Sequence, residues 1–305
     1  MATKVRAKRT TWIIAGVVFA VVAAVLAGIY VYQEMTSRAT ALERLSEATE
    51  LVRRADAVVI DVDEVVRGEI TPELGVSASE AASAAPVAIS DLKRAQELID
   101  QALPDLPEES AAEARALADS ARARIKMLDA AAEILPVNVL AAEALRHVRA
   151  GWDHLLEGEK LADRAIEEYN KLTRASVGES QRLNAQASER LKLALADLQA
   201  GASAFPDAGI AGFVKYTESK IALVGISAQA DVAFLAGRTR EANALSTRFN
   251  ADEKEVIKQL EALPETPEIA IAGAYERLAG PATAVYFEAR DEATRADEAL
   301  NRVVR

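Results

Sequence analysis

The chain has 305 residues, 50% hydrophobic but only 5% aromatic, with a formal net charge of −11 and no cysteine. The missing cysteines exclude disulfides, thiolate metal sites and a cysteine nucleophile, and the acidic surplus disfavours nucleic acid and anionic lipid as partners. With 14 glycines and 9 prolines the chain is too poor in turn residues for a β fold, so an all-α fold with a core of alanine and branched aliphatics is expected.

The first element is the stretch from Trp12 to Tyr32, twenty-one residues without a charged side chain. At about 1.5 Å per residue such a helix reaches roughly 30 Å, the hydrocarbon thickness of a bilayer. Trp12 marks one end and Tyr30 and Tyr32 the other, where amphipathic rings prefer the headgroup level. Lys4, Arg6, Lys8 and Arg9 precede the run, whereas Glu34 and Arg38 follow it, so the positive-inside rule places the N-terminus in the cytoplasm and the rest outside. The apolar core is longer than that of a cleaved signal, and the nearest small-x-small site, Ala39-Thr40-Ala41, lies beyond Glu34 and Arg38. The expectation is an uncleaved, single-pass signal anchor with the lipid bilayer as partner of residues 12–32. Residues 33–305 then hold 32 Lys and Arg against 47 Asp and Glu, a net charge of −15.

Beyond the span, Leu42, Leu45, Ala48, Val52, Ala55, Val59, Val62 and Val66 recur every three or four residues. That is a coiled-coil-like stripe, predicted to continue the membrane helix as far as Gly68. Thr71-Pro72-Glu73 reads as the start of a new helix. Residues 75–88, small and polar with Pro86 inside, read as a weak helix or a linker. The helical pattern returns at Leu92, Ala95 and Ile99, stops at the proline elbow Leu103-Pro104-Asp105-Leu106-Pro107-Glu108, and resumes through Leu117, Ile125, Leu128 and Leu135. Similar elbows follow at Phe205-Pro206-Asp207 and Leu263-Pro264-Glu265-Thr266-Pro267-Glu268. Parts of residues 92–107 reappear 99 residues later, as in Leu92-Lys93 and Leu191-Lys192, an echo that chance convergence of Ala/Leu helices explains as well as duplication.

Leu145, Val148, Trp152, Leu155, Ala162, Ala165, Tyr169 and Leu172 line a further helix interrupted by Gly158, and Ser176-Val177-Gly178-Glu179 fits a capping box for the next. Leu183, Ala187, Leu191, Ala194 and Leu198 fill that one until Gly201. Phe213 through Leu235 to Phe249 fits a single helix of up to about ten turns. Asn250-Ala251-Asp252 then starts a short helix, and a last one runs from Ile271 through Tyr275, Leu278 and Val285 to Val303, bent at Gly280-Pro281. The predicted architecture is an elongated antiparallel bundle of about seven helices beyond the membrane. Its divisions are a basic cytoplasmic tail at 1–11, the anchor at 12–32, a membrane-proximal region at 33–136 and a distal bundle at 137–305. No Phe, Tyr or Trp occurs from Gln33 to Gly151, which predicts a slender proximal part and a thicker distal one.

Candidate chemistry is sparse. His147 and His154 share a helical face but lie about 10 Å apart, too far to share a metal without a third element, and read with Glu143 and Glu157 as surface charge pairs. Asp61, Asp63 and Glu64 resemble the start of a calcium loop, but glycine falls at the eighth position instead of the sixth, and Pro72 stands where the closing Glu belongs. Pro104-x-x-Pro107 and Pro264-x-x-Pro267 read as turns between helices. Leu156-Glu157-Gly158-Glu159 and Leu235-Ala236-Gly237-Arg238 resemble tetratricopeptide helices, yet their 79-residue spacing is not a multiple of that family's period of about 34. No catalytic residue, cofactor or metal site is expected.

The function expected from the sequence is therefore non-enzymatic: a membrane-anchored extracytoplasmic scaffold or protein-interaction module of the cell envelope. Envelope proteins or a second copy of the chain would be its partners, and nucleic acid would not. The alternative is a ligand-sensing helical ectodomain. Tyr286 and Phe287 are adjacent, so a helix cannot aim both at one core, and Tyr216 stands one residue off the inward stripe. Because interface anchors are enriched in aromatics, Tyr216 and Tyr286 are the expected partner-binding residues.

Overall fold

The computed structural model describes the backbone of residues 3–303 and the side chains of residues 32–303. Seven α-helices are present: α1 (Thr3–Arg67), α2 (Leu74–Ala102), α3 (Glu108–Tyr169), α4 (Arg174–Ala204), α5 (Ala211–Leu235), α6 (Thr239–Glu261) and α7 (Pro267–Val303). Single 3₁₀ turns at Leu103–Asp105 and Pro206–Ala208 occupy two of the proline elbows. The all-α expectation holds among the described residues, with seven helices in all instead of seven beyond the span. Among the described residues no helix is long and apolar enough to cross a membrane. The expected anchor at 12–32 lies, apart from Tyr32, outside the described side chains, as does the basic tail at 1–11.

Prolines lie inside helices as well as at the elbows. Pro86, Pro136 and Pro281 all lie inside helices, and all three are exposed. Each removes one backbone hydrogen bond, but on a solvent-facing side water can take the freed carbonyl. Residues 75–88 are accordingly continuous helix rather than linker, because Ala78, Ala81, Ala85 and Ala88 form a buried stripe at helical spacing. The helix expected from Thr71 begins at Leu74 instead, whose N–H reaches the Thr71 carbonyl.

The chain divides into two compact units interleaved along the sequence. One comprises Met1–Ile60, Ala85–Asp129 and Tyr286–Arg305; the other comprises Asp61–Ala84 and Ala130–Val285. The expected boundaries, after residues 11, 32 and 136, follow the chain in order. Interleaving arises because α7 returns beside helices that come far earlier in the chain.

In the first unit, α1 buries Ala41, Leu45, Ala48, Val52 and Ala55, a 4-3-4-3 seam. Leu42, expected inside, is exposed because the seam falls one residue earlier, on Ala41. A buried guanidinium ties three helices together. Arg124 of α3, 12% exposed, donates from Nε to Asp56 of α1 at 2.6 Å and from Nη1 and Nη2 to Asp297 of α7 at 2.9 and 3.1 Å. Burial opposes the charge on Arg124, yet Asp297 and Asp56 outweigh it and hold the group more firmly protonated.

In the second unit, α3 and α4 run antiparallel with glycine at their closest points. Gly151 faces Leu198, Gly158 faces Leu191 and Gly201 faces Val148. Gly158 is thus no interruption of α3 but one of the positions where α4 comes close. Around this pair Phe205, Phe213 and Ile271 form one core with Val148 and Leu198, Trp152 meeting Phe213 edge-on at 5.8 Å. A second core joins Leu155, Leu191, Tyr216, Leu223 and Val256. Eight of the ten aromatics beyond Tyr32 belong to this unit.

Two helix boundaries fall elsewhere than expected. Thr173, not Ser176, caps α4: its Oγ1 accepts from the Ser176 N–H, and Ser176 Oγ accepts from the Thr173 N–H. The single helix expected from Phe213 to Phe249 breaks at Gly237, whose φ is 74°. The Arg238 N–H returns to the Ala233 carbonyl and the Gly237 N–H to that of Phe234, a Schellman ending that needs a left-handed residue. Consequently α6 starts at Thr239 and runs straight through Asn250. Gly158 in mid-helix and Gly237 in a turn also differ in structure, so the two tetratricopeptide-like segments are not equivalent.

A methyl group on Gly158 would lie 2.8 Å from Leu191 Cγ, whereas one on Gly225 of α5 would meet nothing within 4 Å. Gly158→Ala should therefore cost about 1–3 kcal/mol through forced displacement of α4. Gly225→Ala should gain roughly 0.5–1 kcal/mol from helix propensity alone. Chemical denaturation of both variants against the parent checks the opposite signs.

Candidate functional site

The aromatic residues expected at a docking surface are inside the protein. Tyr286 is 0% and Tyr216 3% exposed, so the exposure that a docking role requires is absent. On α7 the buried register is Ala279, Ala282, Tyr286, Ala289 and Ala293, one residue away from the expected Leu278 and Val285, which are exposed. Phe287 is the aromatic left outward, its ring edge-on to that of Tyr286 at 5.7 Å. Tyr216 lies on a helix buried over a wide face, with Phe213, Thr217, Leu223 and Val224. Its hydroxyl donates to Glu159 Oε1, which Lys220 approaches at 3.3 Å. Burial and then Glu159 push the phenol well above its usual range.

The histidines stay apart. His154 Nδ1 meets Asp197 Oδ2 of α4 at 3.1 Å, a contact between helices and not along one, while His147 lies beside Arg146 at 3.3 Å. Asp63 pairs along α1 with Arg67 at 3.3 Å. Among the described residues no cluster of three or more His, Cys, Asp or Glu side chains could hold a metal.

The most distinctive site is one the sequence reading did not select. Where the end of α3 meets α5 and α6, a cavity of about 140 Å³ is lined by Tyr169, Asn170, Ser227, Ser246, Phe249 and Asn250, among others. Asn170 and Asn250 are exposed and mark its mouth. Ser246 Oγ lies 3.4 Å from the Tyr169 hydroxyl, and Phe234 braces the Tyr169 ring edge-on at 6.1 Å.

Behind Ser227 a polar ladder runs into the core. Asn184 of α4 donates through Nδ2 to Ser227 Oγ at 3.0 Å and to Asp231 Oδ2 of α5 at 2.7 Å. Asp231 and Ser180 are fully buried and Asn184 nearly so. Burial pushes the Asp231 carboxyl up to about 6, against the opposing pull of the Asn184 amide and the Ser180 hydroxyl. Asp231 Oδ1, Asn184 Oδ1 and Ser180 Oγ have no hydrogen-bond partner. The Ser227 hydroxyl accepts from an amide, which is not a base that could take its proton.

The signal for the ladder was in the register. Ser180 and Asn184 stand seven residues before Ala187 and Leu191, and Asp231 seven after Val224. All three therefore occupy core positions of their helices, where a polar residue is costly unless it is satisfied. Compared with known protein families, curated proteins and solved structures, the chain matches none.

In buffer free of alkali cations, where only the proton titrates, stability should depend on Asp231. The folded carboxyl sits at about 6 against an ordinary value of 3.8. Its neutral form is thus fully favourable below about pH 4, and that advantage is lost as pH rises through about 6. The wild type should lose on the order of 2 kcal/mol relative to Asp231→Asn between pH 4 and 7. Denaturation midpoints across that range decide it, and a difference independent of pH would contradict the assignment. Tyr286→Ala should destabilise by roughly 3–5 kcal/mol in the same denaturation measurement, as loss of a buried ring does.

Proposed function

We propose that the chain is a non-enzymatic, membrane-anchored binding module of the cell envelope. In this reading residues 12–32 are held in the bilayer with the N-terminus in the cytoplasm, and the helical units act outside as a scaffold or protein-interaction module. The observation that carries it is the uncharged apolar run Trp12–Tyr32 directly behind Lys4, Arg6, Lys8 and Arg9. The net charge of −15 over residues 33–305 supports an exterior that stays clear of anionic headgroups. Exposed ion pairs along single helices, such as Arg53–Glu50 and Arg182–Glu179, fit solvated faces.

A second reading, a ligand-sensing ectodomain, is favoured by the cavity beside Tyr169 and Phe249. Its size suits a small molecule rather than a peptide side chain and backbone together.

A C-terminal tag should be cut by protease on intact spheroplasts, and the purified protein should retain Met1 or Ala2. A protected tag with an exposed N-terminus would reverse the topology. Mild crosslinking in native membranes should then join the chain to an envelope protein. Under the scaffold reading the same crosslinks persist in Ala230→Leu, which fills the cavity; under the sensing reading they change.

A further inference from the structure

Three buried oxygens between α4 and α5 stand without a partner: Ser180 Oγ, Asn184 Oδ1 and Asp231 Oδ1. Ser180 and Asn184 lie one helical turn apart on the same face of α4, and Asp231 reaches them from α5. The orientation of the Asn184 amide is fixed, since both hydrogens of Nδ2 are engaged, one on Asp231 and one on Ser227. Its Oδ1 can therefore only accept, and so can an ionised Asp231. Ser180 has a single proton to offer, and its hydroxyl acts on the carboxylate charge without forming a well-aligned hydrogen bond. The cluster is short of donors and carries one negative charge.

Among the described residues no lysine, arginine or histidine acts on that charge; burial, Asn184 and Ser180 are the influences on it. A buried carboxylate without a counter-charge is costly, and so is each unpaired buried acceptor. A group that is positive and takes several oxygen lone pairs at once would meet both needs.

We propose that Ser180, Asn184 and Asp231 bind a monovalent alkali cation between α4 and α5, with Na⁺ the first candidate. The ligands are hard oxygens, which suit alkali and alkaline-earth ions and not thiophilic metals. One carboxylate neutralises one charge. A divalent ion would leave a net positive charge buried, and Ca²⁺ would want six to eight oxygens. Ser227 supplies the outer support, holding the Asn184 amide so that Oδ1 faces the ion. The neighbouring cavity reaches Ser227, which the Asn184 amide meets, and its lining includes the exposed Asn170 and Asn250. Water entering there completes the coordination that three side chains leave open. The site stands whether the protein acts as scaffold or sensor.

The test is thermal unfolding of the full chain in detergent at pH 7.5 and constant ionic strength, in NaCl, KCl or choline chloride. NaCl should raise the melting temperature over choline by about 3–5 °C, saturating with concentration. A rise in KCl alone supports the site and changes its preferred ion. Asp231→Asn and Asn184→Leu should each remove the difference between salts. Should both variants fail to fold, crystals of the wild type soaked in thallium(I) acetate decide, with anomalous density expected beside Asp231 Oδ1. Identical melting in all three salts without anomalous density overturns the proposal, leaving a buried water only. Stability that follows pH through about 6 but ignores the cation also overturns it, because a proton on Asp231 then fills the role.

Discussion

Close approach of helices through small residues is the constraint on which the rest of this structure depends. A chain with half its residues hydrophobic but 5% aromatic cannot fill wide gaps between helices, so its backbones must come near one another for the core to reach protein density. Alanine supplies most of the buried seams of α2 and α7, and α1 alternates it with leucine and valine. Where α3 and α4 come nearest, even alanine is too large, and Gly151, Gly158 and Gly201 take the positions facing Leu198, Leu191 and Val148. Narrow spacing makes each of these contacts intolerant of a single added methyl, while open positions such as Gly225 stay permissive.

That spacing also governs how polar groups enter the core. In the first unit Arg124 reaches two carboxylates on two other helices and is satisfied by both. In the second unit the corresponding depth holds the opposite charge with no cation beside it. Asp231 is held by the Asn184 amide, with the Ser180 hydroxyl acting on its charge, and its second oxygen has no hydrogen-bond partner. The contrast separates a structural ion pair from a site with unspent binding capacity. The neighbouring cavity, walled by Tyr169 and Phe249, lies where the alanine rule breaks down and larger side chains leave space between them.

Burial of Tyr286 follows from the same logic. Four alanines share its register on α7, and it is the one large side chain among them. Adjacent aromatics do imply that one must face outward, and that one is Phe287. Choosing between them required the register, which Leu278 and Val285 suggested one residue too early. Hydrophobicity favours those two for the core, but Ala279 and Ala282 are the residues whose size fits the narrow contact.

The sequence by itself determined the helical class, the three proline elbows and the seams of α1 and α4, because periodicity every three or four residues and unsatisfied turns are local properties of the chain. It also displayed Ser180, Asn184 and Asp231 at core registers, although nothing local could say that they would meet. Pro86 left residues 75–88 open to a linker reading, whereas the helix through Pro281 was legible; the cost of a lost hydrogen bond depends on whether water reaches the freed carbonyl, which is known only once the helix has packed. Gly158 and Gly237 look alike in sequence, yet one is a contact point and the other a left-handed turn. Only the tertiary structure decided the interleaving of the two units, the burial of both tyrosines and the gathering of three unpaired oxygens between α4 and α5. Each of these depends on which helix faces which, and a residue's own neighbours in the chain carry no record of that.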